Sequence, residues 1–138
     1  VRGLRALGTE SYEFKTEIIT TSQYWTVPKA KNQSFSIRIF GGGGGGGGNT
    51  THSAGGGGGY MNNGIISIEQ NTSVYITLAQ GGINGNAGGT SSFGSYLSAA
   101  GGTGGGSGSS SAGGSGGSGG GGGMDNGGTG YQFGGWLC

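Results

Sequence analysis

A chain of 138 residues that carries 42 glycines and a single proline, Pro28, has room for one domain and is not collagen, which needs abundant proline in a strict three-residue repeat. Hydrophobic residues make up 30% and charged residues 8%, so any apolar core is small. The net charge of +1 gives no electrostatic case for nucleic acid, and no apolar stretch approaches the roughly 18–20 residues of a membrane span.

In chain order, "YEFKTEII" (12–19) alternates, with Tyr12, Phe14 and Ile18 on one face and Glu13, Lys15 and Glu17 on the other, as a half-buried strand does. "YWTVP" (24–28) sets Trp25 and Val27 on one face and stops at proline. "SFSIRIF" (34–40) points Phe35, Ile37 and Ile39 inward. Beyond a glycine block, "GIISIEQ" (64–70) and "SVYITLA" (73–79) read as two more strands around a hairpin turn at "QNTS". Strands 34–40, 64–70 and 73–79 are expected in one sheet, with Phe35, Ile37, Val74 and Ile76 in its core. "SSFGSYLSAA" (91–100) fits either a short strand or a turn of helix. The fold class is therefore all-β.

The rest of the chain is glycine runs broken by short inserts: "NTTHSA", "INGNA", "SGSSSA" and "MDN". A disordered Gly/Ser linker is the plain reading of such composition. The position of the first runs speaks against it. They lie inside the strand succession, where a structureless loop of more than twenty residues is improbable. Ordered extended glycine is the other reading. A three-residue-per-turn helix makes no internal hydrogen bonds, so its N–H and C=O groups must bond to neighbouring runs. Neighbours come close only where no Cβ intervenes. On that reading Gly41, Gly44, Gly45, Gly48, Gly55 and Gly59 are structural, and the expected fold is a small sandwich-like β-scaffold bearing a polyglycine II helix bundle.

The ordered pattern resembles a known family. "WTVPKAKNQSFSIRIFGGGGGGGG", "SAGGGGGYMNNGIISIEQNTSVYITLAQGG" and "GGTSSFGSYLSAAGG" look like the glycine-rich domain of phage tail-fibre and related surface proteins. The extracellular glycine-rich domain of the anaplastic lymphoma kinase family is similar in kind. The resemblance implies a non-enzymatic virion-surface or extracellular protein, a tail-fibre tip adhesin whose loops between glycine runs touch a host-cell receptor. Asn49, Thr50, Thr51, His52, Ile83, Asn84, Asn86, Met124, Asp125 and Asn126 are the receptor-binding candidates. Host receptor, other fibre proteins and a second copy are the expected partners. A fibre, decoration or filament subunit whose glycine bundle makes subunit contacts is the alternative.

Chemistry is sparse. His52 is the only histidine and has no acid near it in sequence, so no catalytic set, metal site or cofactor site is expected. No lysine follows any glycine run, so a phosphate-cradling loop is not supported. Cys138 is the only cysteine, so no internal disulfide forms. All six Lys and Arg precede position 39. Residues 1–23 are accordingly expected to be an attachment segment with the first strand, and 24–138 the glycine-rich unit, the two forming one compact whole. Tyr12, Phe14, Trp25, Phe35 and Phe40 are expected in the core. Tyr60, Phe93, Tyr96, Tyr131, Phe133 and Trp136, at run ends, either cap the bundle or lie open as stacking platforms for sugars.

Overall fold

The structure, a computed structural model, describes residues 11–48, 53–108, 111–118 and 120. It is an all-β protein. Its strands are β1 (Gln23–Thr26), β2 (Ser34–Phe40), β3 (Met61–Ser67), β4 (Ser73–Thr77), β5 (Ser91–Phe93) and β6 (Leu97–Ala99). They form two antiparallel sheets, β1-β4-β5-β6 and β2-β3. A single 3-10 turn (Lys31–Gln33) is the only helical element among the described residues, and none of these forms a helix long and apolar enough to cross a membrane.

Alternation places the core. Ile39 of β2, Val74 and Ile76 of β4, Phe93 of β5 and Ala99 of β6 are buried together with Val27 and Ile68, and Trp25, Phe35, Ile37, Ile66 and Leu97 pack against them. The inner faces of both sheets thus share one apolar cluster. Trp25 is its aromatic hinge, with ring centroids 5.5 Å from Phe35 on one sheet and 5.7 Å from Phe93 on its own. The ambiguous stretch at 91–100 is a hairpin, β5 paired to β6.

Three expectations are corrected. Residues 11–20 form no strand, and Phe14 and Ile18 lie exposed. Periodicity suits a strand only where a neighbour offers a ladder, and here the Leu78 amide donates to the Ser22 hydroxyl at 2.8 Å instead. The exposed Tyr12, Phe14 and Phe40 are accordingly outside the core.

Second, the strand expected at 64–70 runs over 61–67 and does not pair with β4. The turn does form, with Asn71 at φ 66° and the Thr72 amide donating to the Glu69 carbonyl. What separates its flanks is Val27, fully buried. Its amide donates to the Thr72 carbonyl at 2.8 Å and its carbonyl accepts from the Asn71 amide at 2.9 Å. That draws β4 onto β1. Ile68 turns the other way, its amide donating to the Gln33 carbonyl and its carbonyl accepting from the Gln33 side chain.

Third, strands 34–40 and 73–79 therefore sit in different sheets and share the core rather than a sheet. β3 pairs with β2 along its whole length, from Ser34↔Ser67 to Phe40↔Met61. The glycine block is thus the middle of a hairpin, and its hydrogen bonds carry the β2–β3 register onward. The amides of Gly41, Gly44 and Gly47 donate to the carbonyls of Tyr60, Gly57 and Ala54, at 2.7–2.9 Å. The partners stay in step while the bond spacing changes from two residues to three.

Candidate functional site at the tips of three hairpins

The same continuation happens twice more. The β4–β5 ladder, with Ile76↔Phe93 and Thr77↔Ser92, runs on through Gly89 N–H to Gln80 C=O and closes with Asn86 N–H to Ile83 C=O. Beyond β6, residues 100–107 extend and return through 111–118, tied by Thr103 N–H to Ser115 C=O and Gly106 N–H to Ala112 C=O. Three extended glycine hairpins therefore project from the sheets.

They bind one another sideways. Segment 41–48 donates from Gly42 and Gly45 to the carbonyls of Gly89 and Asn86, and accepts at Gly42 and Gly45 from the amides of Gly102 and Gly105. Its Gly43 and Gly46 carbonyls accept from Gly82 and Gly85. Segment 53–60 donates from Ala54, Gly57 and Tyr60 to the carbonyls of Gly106, Thr103 and Ala100. Every set recurs at three-residue spacing, so each row of amides or of carbonyls along a segment faces a single neighbouring strand. The array has hydrogen bonds where a larger protein has an apolar core.

Sterics show why the runs are pure. A Cβ on Gly41 or Gly44 would overlap the carbonyl of Ala100 or Thr103, and one on Gly59 the carbonyl of Gly41. On Gly45 it would lie 2.6 Å from the Ile83 Cα. Gly48 differs, because a Cβ there stands 3.5 Å from the Asn84 Cβ, an ordinary contact. Gly55 is exposed, and its carbonyl accepts from the Gly114 amide at 2.8 Å. The side chains that interrupt the later runs recur every third residue on exposed positions: Ala100 and Thr103, then Ala112, Ser115 and Ser118.

The described residues at the far ends of the three hairpins meet away from the sheets. Gly48 N–H donates to Ser107 Oγ at 3.0 Å, Ser53 and Ser107 form an isolated antiparallel bridge, and the turn at 83–86 lies beside Gly48. In that turn Asn84 (φ 51°) and Gly85 (φ 79°) take the two left-handed positions of an Asn-Gly reversal. Ile83, Asn84 and Asn86 are exposed there, Ile83 to 70%. Asn86 also braces the turn, its side-chain amide donating to the Ile83 carbonyl at 2.8 Å.

Of the other candidates, Asn49, Thr50, Thr51 and His52 lie outside the described residues, between the anchors Gly48 and Ser53. Met124, Asp125 and Asn126 also lie outside them, as do Tyr131, Phe133 and Trp136. Ser53, Ser107 and Ser111 join the tip surface without having been singled out in the sequence. Their signal was position, hydroxyl residues flanking the breaks between runs. Among the run-end aromatics, Phe93 is core, while Tyr60 and Tyr96 are a little under half exposed.

Fold and tip together define a class: an all-β protein whose hairpins are prolonged as a cross-bonded glycine array. The chain belongs to the glycine-rich domain family, whose model matches residues 18–136. No curated protein and no solved structure matches it.

Proposed function

We propose that the protein is a non-enzymatic surface module, a phage tail-fibre tip or comparable virion adhesin that binds a host-cell receptor through the hairpin tips. The sheets form a sandwich-like base, and the array is a polyglycine II bundle that advances about 3.1 Å per residue. The observation that carries the reading is the convergence of the tips. The turn at 83–86, Gly48, Ser53 and Ser107 gather at one end, while residues 17–22 touch Trp25 and Leu78 at the sheets. Attachment at one end and contact at the other is what a fibre tip needs. Its uncharged amide and hydroxyl groups suit many weak polar contacts, multiplied by copy number on one particle.

Labelled full-length protein, measured on a panel of bacterial cells by flow cytometry, tests this. Binding to some of the panel is expected, with loss in Ile83→Asp and Asn84→Asp at unchanged melting temperature, since aspartate tolerates the left-handed backbone that Asn84 adopts. Absence of binding across the panel, or equal binding by the tip variants, would remove the adhesin reading.

A further inference from the structure

We propose that residues 12–20 are a docking arm that pairs with the same arm of a second copy as a two-stranded antiparallel ribbon. This goes beyond receptor binding and uses none of the tip residues.

The arm alternates in sequence yet joins no ladder. The amides and carbonyls of residues 13–21 make no backbone hydrogen bond among the described residues. Phe14 is fully exposed and Ile18 is 81% exposed. Only the later part of the arm is fastened: Ile19 packs against the core, and the Trp25 indole N–H donates to Glu17 Oε2 at 3.3 Å. Open backbone groups beside bare apolar side chains are what strand addition uses, main-chain bonds for affinity and alternate side chains for specificity. In an extended arm Phe14 and Ile18 stand about 13 Å apart, so neither covers the other within one copy.

Charge and register select the occupant. About a two-fold axis through Thr16, Phe14 of each copy faces Ile18 of the other and Lys15 faces Glu17, so each pair forms twice. The backbones fit as well, because antiparallel strands oppose each amide to a carbonyl. Neighbouring centres fail. One on Lys15 sets Lys15 against itself and Glu13 against Glu17, one on Glu17 sets Glu17 against itself, and one on Phe14 sets Ile18 against Glu10. The Thr16 register also lays the projecting Phe14 of each copy on the fastened end of the other. Glu17 keeps its second carboxylate oxygen for the Lys15 ammonium while Oε2 holds Trp25. The glycine-rich part of the chain offers no such match, since its only charges from Ile39 onward are Glu69 and Asp125.

Sedimentation velocity of the full chain over a concentration series tests the pairing. The parent is expected to dimerise. Lys15→Glu and Glu17→Lys are each expected to dissociate at least about tenfold more readily, because two ion pairs become two like-charge contacts. Mixed in equal amounts, the two variants should associate as the parent does, since each altered charge then meets its opposite. Both dilute variants should melt with the parent, because positions 15 and 17 are exposed. A parent that is monomeric at every concentration overturns the proposal and leaves the arm to the chain's own residues. Variants that dimerise as tightly as the parent, or a mixture that fails to pair, overturn it too. Cell adsorption is measured separately with the tip variants, so failure of either proposal leaves the other standing.

Discussion

A methyl group on Gly44 would fall on the carbonyl oxygen of Thr103, in a segment that bonds to Gly42 and Gly45 on either side of it. Gly44 also donates to Gly57 at 2.7 Å, and Gly57 donates in turn to Thr103 at 2.9 Å. Moving Thr103 aside strains both bonds and its pairing with Ser115. Two or three bonds at about 0.5–1.5 kcal/mol each put the loss for Gly44→Ala at about 2–3 kcal/mol. For a chain this size the melting temperature falls by on the order of 10 °C. Gly48→Ala, in the same run but with room for a Cβ, is the control and should change little. Thermal melts of both beside the parent decide it. Equal small effects would mean that the close approach is not what the purity of the run serves.

The two sheets make a different prediction. Phe93 is 5% exposed and lies in the ring cluster with Trp25 and Tyr96, whereas Phe40, next in the chain to the glycine run, is 61% exposed. Phe93→Ala should cost about 3–5 kcal/mol through lost burial and a cavity. Phe40→Ser should stay within about 0.5 kcal/mol, as exposed substitutions do. Urea unfolding followed by tryptophan fluorescence measures both, since Trp25 touches Phe93. A large loss for Phe40→Ser would restore it to the core.

Strand faces were legible in the sequence and strand partners were not. Ile37 and Ile39 turn inward as their alternation requires, but nothing local states that β2 pairs with β3 across twenty intervening residues. The hairpin inferred at 70–73 failed for the same reason. The turn is real, yet Val27, more than forty residues earlier, takes the bonds of Asn71 and Thr72. Residues 12–19 show the converse, a clean alternation with no ladder to join. In the array, identical glycines hide their register altogether. Its trace is the three-residue spacing of Ala100 and Thr103 and of Ala112, Ser115 and Ser118, visible only once the spacing of the bonds is known. At the tip, the exposed turn at 83–86 could be found from its Asn-Gly pair, whereas Ser107 owes its place to the partner amide of Gly48.

The tip turn itself is testable through backbone conformation. Asn84 and Gly85 both have positive φ, at 51° and 79°, and the Asn86 amide closes the reversal on the Ile83 carbonyl at 3.0 Å. A side chain at Gly85 meets the left-handed penalty of about 1–2 kcal/mol, and its Cβ would sit 3.0 Å from the Gly105 carbonyl. Gly85→Ala should therefore destabilise the chain by about that amount. Asn84→Gly, at a position that glycine adopts freely, should stay within about 0.5 kcal/mol. The amide of Gly85 donates to the Gly46 carbonyl at 2.7 Å, so distortion of the turn reaches the central run directly. Hydrogen exchange at the Gly85 and Asn86 amides reads this locally. Faster exchange at both in Gly85→Ala, with Asn84→Gly like the parent, is the expected result. Parent-like exchange in Gly85→Ala would show that the left-handed turn is not what holds the middle tip in place.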